Sequence, residues 1–87
     1  MPGPQVSQAK QQLEIIIDAY LSESDVERVL AACDYADMAH DGIVRKSGEP
    51  YILHPIAVSC ILAHMRLDPE RLMGALLHDV IEATDFN

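Results

Sequence analysis

Positive charge is scarce in this chain. Its 87 residues carry six Lys and Arg against fourteen Asp and Glu, a net charge of −8. A surface this acidic repels phosphate at long range, which argues against non-specific binding to nucleic acid or to an anionic membrane. Long apolar runs are also missing. None approaches the roughly 18 residues that a bilayer span needs. The opening Met1-Pro2-Gly3-Pro4-Gln5 has neither the basic start nor the apolar stretch of a signal peptide. Cysteine is too rare for a disulfide framework or a cysteine-built zinc site. Cys33 and Cys60 each lie in an apolar pattern and read as reduced, buried thiols. Together these absences point to a cytoplasmic protein with no membrane or nucleic-acid partner. There is no alternating strand pattern, no repeat and no low-complexity tract.

What is present is a helical pattern. Hydrophobic residues make up 49% and charged residues 23%, an ordinary globular balance for one small domain or part of one. Residues 1–6 read as a flexible N-terminal tail and 7–87 as one helical unit. From Ser7 to Leu21, Ala9, Leu13, Ile16, Ile17, Tyr20 and Leu21 recur at gaps of mostly three and four, the helical period. Ser24-Asp25-Val26-Glu27 has the form of a capping box opening a second helix. Its stripe runs through Val26, Val29, Leu30, Cys33 and Ala36 to His40, and Gly42 is the stop signal. A third helix is expected with Pro55 in its first position, running to about Arg66. Asp68-Pro69-Glu70 starts a fourth, whose Leu72, Met73, Ala75, Leu76, Leu77, Val80 and Ile81 are apolar almost all round. That places it in the middle of a bundle. The fold class is all-α, a bundle of about four helices.

Two features carry chemistry. The first is a polar cluster in the most apolar helix. His78 and Asp79 follow Gly74-Ala75-Leu76-Leu77, and Glu82 lies four residues beyond His78 on the same flank. A buried carboxylate is costly unless it is paired, hydrogen-bonded or bound to a metal. Adjacent helix positions point about 100° apart, so His78 and Asp79 reach one ion only at the helix edge. His54, before Pro55, is the natural further donor. Two imidazoles and a carboxylate suit a divalent transition metal, Mn²⁺ or Fe²⁺ ahead of Zn²⁺. A satisfied core histidine beside a capping aspartate gives the same local sequence. The second feature is the long non-helical segment 41–53. Arg45-Lys46 is the chain's single adjacent basic pair, followed by Ser47 and Gly48. In so acidic a chain this patch suits a phosphate-bearing ligand, and Arg adds a flat cation that can stack on a base. The plainer alternative is a solvated surface loop.

Arg45-Lys46-Ser47-Gly48-Glu49-Pro50-Tyr51-Ile52, then His54-Pro55, then Ala75-Leu76-Leu77-His78-Asp79-Val80-Ile81-Glu82, resembles the hydrolase half of the RelA/SpoT family of (p)ppGpp synthetase/hydrolases. Ala39-His40-Asp41-Gly42 fits too, and the likeness runs from about Tyr20 to Thr84, nearest to the SpoT-type branch. The resemblance implies the N-terminal part of an α-helical HD domain. It also implies Mn²⁺-dependent removal of the 3′-pyrophosphate from ppGpp or pppGpp in the stringent response. The family's metal ligands fall on His54, His78 and Asp79. Its guanosine-holding loop falls on Arg45, Lys46 and Ser47, and its catalytic acidic residue on Glu82. His40 takes a supporting, structural role.

Two departures temper this. The family's Glu-Asp pair is Glu82-Ala83 here, and a further Asp ligand from a later helix has no counterpart before Asn87. The chain is therefore expected to be part of a longer enzyme, and weak or inactive on its own. It is also expected to self-associate through an exposed apolar face. The competing readings are another HD-domain nucleotide phosphohydrolase and a non-catalytic interaction module with a degraded site.

Overall fold

The computed structural model describes residues 4–84, with the side chains of all of these except residues 79 and 81–84. Four helices follow one another: α1 (Pro4–Asp18), α2 (Glu23–Ala39), α3 (Leu53–His64) and α4 (Pro69–Thr84). They pack in a ring, α1 on α2, α2 on α4, α4 on α3 and α3 on α1. The all-α expectation holds. The one β-type contact among the described residues is an isolated antiparallel bridge between Val44 and Pro50.

Each helix turns a narrow apolar stripe to the common core. Leu13 and Ile17 of α1, Val29, Cys33 and Ala36 of α2, Ile56 and Ala63 of α3, and Leu72 and Leu76 of α4 are all buried. A fully buried side chain of the Leu or Ile type contributes about 1.5–3 kcal/mol, so this stripe set stabilises the bundle. Ser59 is the polar residue within it, and its hydroxyl donates to the Leu72 carbonyl across the α3–α4 contact.

The element boundaries differ from the sequence expectation where local chemistry competes with periodicity. α1 starts at Pro4 rather than Ser7. Pro is well placed in a first turn, and Val6 is buried, so part of the expected tail belongs to the helix. Residues 1–3 lie outside the described set. The cap of α2 is Ser22, not Ser24: its extended backbone lets the hydroxyl accept from the Asp25 N–H at 3.2 Å. Pro55 is the third residue of α3 rather than the first, a position where its missing N–H is still not needed. α3 ends at His64, earlier than Arg66, which takes a left-handed φ of 58°. The Arg66 guanidinium lies over the Tyr20 ring, whose hydroxyl donates to the Leu67 carbonyl at 2.7 Å. This ties the α1–α2 turn to the α3–α4 turn.

α4 is not central. Leu72, Leu76 and Val80 face the core, while Gly74 is exposed and Met73, Ala75 and Leu77 are half-buried. Helix periodicity leaves only one face for α2 and α3 to cover, however apolar the rest is.

Both cysteines are free thiols, Cys33 buried and Cys60 half-buried. Burial pushes the Cys33 thiol from 9.0 to about 12 and raises Cys60 as well. No helix among the described residues is long and apolar enough to cross a membrane.

Candidate functional site

The segment between α2 and α3 is a small, hydrogen-bonded hairpin. Gly42, at φ 80°, turns the chain after α2, and the Ile43 N–H donates to the His40 carbonyl at 2.9 Å. Tyr51 N–H then donates to Ile43 O, and Arg45 N–H to Glu49 O. Gly48 N–H closes the tip onto Arg45 O at 2.8 Å with φ 90°, a left-handed conformation that favours glycine. The sequence Arg-Lys-Ser-Gly therefore forms the hairpin tip, and residues 41–49 are all exposed.

Side chains of Ile43, Val44, Arg45, Lys46, Ser47, Glu49 and Tyr51 line a pocket of about 720 Å³ along this hairpin. The Ser47 hydroxyl donates to Glu49 Oε1 at 3.3 Å. The chain's other cations are committed elsewhere. Lys10 pairs with Asp34, Arg28 with Asp25 and Glu70, and Arg71 with Asp68. The first of these pairs raises the Lys10 pKa through its hydrogen bond to Asp34. Arg66 lies over Tyr20. Among the described residues, Arg45 and Lys46 are the two cations with no carboxylate or ring partner, and they are neighbours at the tip.

The second pocket, of about 230 Å³, opens between α3 and α4 and is lined by His54, Pro55, Val58, Ala75 and His78. Both imidazoles are at the surface of their helices. The fold thus brings to one pocket two histidines 24 positions apart in sequence. The side chains of Asp79, Glu82 and Ala83 lie outside the described set. Among the described residues no group of three or more His, Cys, Asp and Glu is arranged to hold a metal ion. Two imidazoles on one pocket wall are a partial donor set for a divalent transition metal, and the next residue after His78 is a carboxylate.

The two pockets are joined through α3. Tyr51 lines the hairpin pocket, and its carbonyl accepts from the His54 N–H at 3.1 Å. Sequence reasoning singled out Arg45, Lys46, Ser47, His54 and His78, and the structure places each on a pocket wall. It gives no site role to Glu49 and Tyr51, which complete the hairpin. The glycine after Ser47, with Glu and Pro following, was the available sign of a tight turn folding Glu49 back.

Comparison with known proteins places the sequence among named relatives. The chain is 57% identical over 72 residues to the bifunctional (p)ppGpp synthase/hydrolase SpoT of Escherichia coli K12, covering 83% of this chain and 10% of that protein. It is 52% identical over 73 residues to a guanosine-3′,5′-bis(diphosphate) 3′-pyrophosphohydrolase of Vibrio cholerae, covering 84% of this chain and 10% of the relative. A GTP pyrophosphokinase of Streptomyces coelicolor is 44% identical over 69 residues, 79% of this chain and 8% of its own length. The chain spans about a tenth of the length of these curated relatives. The HD domain model matches residues 32–87, from the middle of α2 through the hairpin and both histidine-bearing helices. More than half of the sequence is covered by that match, and the all-helical fold is consistent with it: the chain belongs to the HD domain family.

Proposed function

We propose that this chain is part of a metal-dependent guanosine-3′,5′-bis(diphosphate) 3′-pyrophosphohydrolase, acting in the cytoplasm on ppGpp or pppGpp. The observation that carries the reading is the pair of uncommitted cations, Arg45 and Lys46, on a hairpin joined directly to a two-histidine pocket. On a chain of charge −8, these are the groups left to receive an anionic nucleotide. Relatives that carry the pyrophosphohydrolase name support the substrate class.

In this reading Arg45 stacks on the guanine and Lys46 supplies a point charge to phosphate oxygens. Ser47, already held by Glu49, presents its hydroxyl to the guanosine end. His54, His78 and Asp79 hold the divalent cation, with Mn²⁺ favoured over Fe²⁺ and Zn²⁺. When bound, such an ion polarises a phosphoryl oxygen and lowers the pKa of a bound water. Glu82 orients the attacking water and takes its proton. Ala83 offers no second carboxylate beside it, so hydrolysis by these 87 residues is weak or absent.

Calorimetric titration of Mn²⁺ tests the metal half, with His78→Ala as control. Saturable one-site binding that the control loses supports it. Absence of binding by the native chain removes the local support for a metal-dependent reaction. Release of pyrophosphate from ppGpp, assayed on the same samples, is expected at trace level; steady turnover contradicts the weak-hydrolase expectation.

One observation favours a second reading, self-association. Ile15, Met38, Ile61 and Met65 are large apolar side chains at the surface. Sedimentation equilibrium separates a dimer from a monomer.

A further inference from the structure

The hairpin has almost no core of its own, since residues 41–49 are exposed. Its descending limb enters the bundle through Ile52, which is buried. Its ascending limb has no equivalent anchor, because Ile43 and Val44 are both exposed. His40, at the end of α2, touches both limbs. The His40 carbonyl accepts from the Ile43 N–H, and its ring packs against the ring of Tyr51 with centroids 4.8 Å apart and planes tilted by 42°.

His40 is only 5% exposed, and its Nε2 has no hydrogen-bond partner among the described residues. A polar atom buried without a partner destabilises, so no hydrogen bond at Nε2 explains why the ring stays there. Packing against Tyr51 does. Tyr51 in turn bonds Ile43 through its N–H and His54 through its carbonyl. The ring contact therefore touches the base of the hairpin and the first turn of α3 together.

We infer that His40 is a positioning residue: its ring, packed on Tyr51, sets the angle of the 43–51 hairpin and the placement of His54 at the start of α3. The cationic tip and the histidine pocket are thereby held at a fixed separation. The consequence for nucleotide binding rests on the reading of the hairpin as the nucleotide grip. The hold on the hairpin does not.

Amide hydrogen exchange by NMR on the 87-residue chain tests the inference directly. The reporters are the Arg45, Tyr51 and His54 amides, with the Leu76 amide of α4 as the reference for global opening. In His40→Ala, the three reporters exchange about tenfold or more faster relative to Leu76. Tyr51→Ala, which truncates the half-buried side of the contact, gives the same pattern and serves if His40→Ala does not fold. His40→Phe keeps a ring against Tyr51 and removes the unpaired nitrogen, so it restores native exchange at all three amides. Equal acceleration at Leu76 and the reporters in both alanine variants overturns the inference, because it shows a general loss of stability. A His40→Phe hairpin as loose as that of His40→Ala also overturns it.

Titration of ppGpp in the presence of chelator, on the same samples, separates the two readings. Weaker binding by His40→Ala than by the native chain, with His40→Phe close to native, supports both. If the native chain binds no nucleotide, the proposed grip is overturned, while the exchange data alone still decide the role of His40.

Discussion

The helical ring and the hairpin of residues 43–51 are held by different physics. The ring is a set of interlocking apolar stripes in which Leu13, Ile17, Ile56, Leu72 and Leu76 have no exposed surface. The hairpin is held by backbone hydrogen bonds, by glycine at positive φ at its base and tip, and by the contact of the Tyr51 ring with His40. Burial secures a region without leaving groups for chemistry. Backbone hydrogen bonding secures a segment while leaving its side chains to the solvent, where Arg45 and Lys46 stand unpaired. Stability and binding should therefore separate cleanly between the two regions.

The largest effect belongs to the ring. Leu76→Ala removes a fully buried side chain and is expected to lower unfolding free energy by about 2–5 kcal/mol, measured by urea denaturation. A loss below about 1 kcal/mol would mean that the α2–α4 contact is looser than the burial shows.

Next in size is a pH effect in the same region. The Cys33 thiol is raised from 9.0 to about 12 because burial disfavours the thiolate. The unfolded chain loses this proton first, so stability is fully present below pH 9 and falls as pH climbs toward 12. Cys33→Ala should flatten that alkaline decline relative to the native chain, whatever its constant offset. Parallel curves above pH 9 would show that the thiol is more accessible than its surroundings imply.

Smaller again is Gly48→Ala at the hairpin tip. A Cβ there meets no neighbouring atom, so the whole penalty comes from the left-handed backbone, about 1–2 kcal/mol. The cost should appear as faster exchange at the Gly48 and Arg45 amides, with the denaturation midpoint of the bundle nearly unchanged.

The smallest stability effect is expected where the functional effect is greatest. Arg45→Ala should change unfolding free energy by no more than about 0.5 kcal/mol, because the side chain is exposed and unpaired. The same variant should lose most of the affinity for ppGpp in calorimetry. A stability loss equal to that of Leu76→Ala would erase the distinction between the regions.

Four helices and their order were legible in the sequence because helical periodicity and capping are local. Gly42 and Asp68-Pro69 mark boundaries through backbone chemistry that acts within a turn, whereas Pro55 falls two residues inside α3. The start of α2 was misplaced because Ser22 and Ser24 are both competent caps. Only the backbone conformation, extended at Ser22, selects between them. α4 was misplaced in depth because composition reports how apolar a helix is, not how many neighbours it has. The sequence suggests a structural role for His40, but nothing in it pairs His40 with Tyr51, eleven positions away.

Local information is enough for the all-α class, the negative net charge, the lone basic pair and the candidate histidines His54 and His78. Each follows from residue type and short-range spacing. That Arg45 and Lys46 are the uncommitted cations follows from the packing, since ion pairing depends on which carboxylates the helices bring near. Only the tertiary structure joined His54 to His78 across two helices and set His40 beneath the hairpin. Those contacts arise from helix packing and chain reversal, which no local pattern encodes.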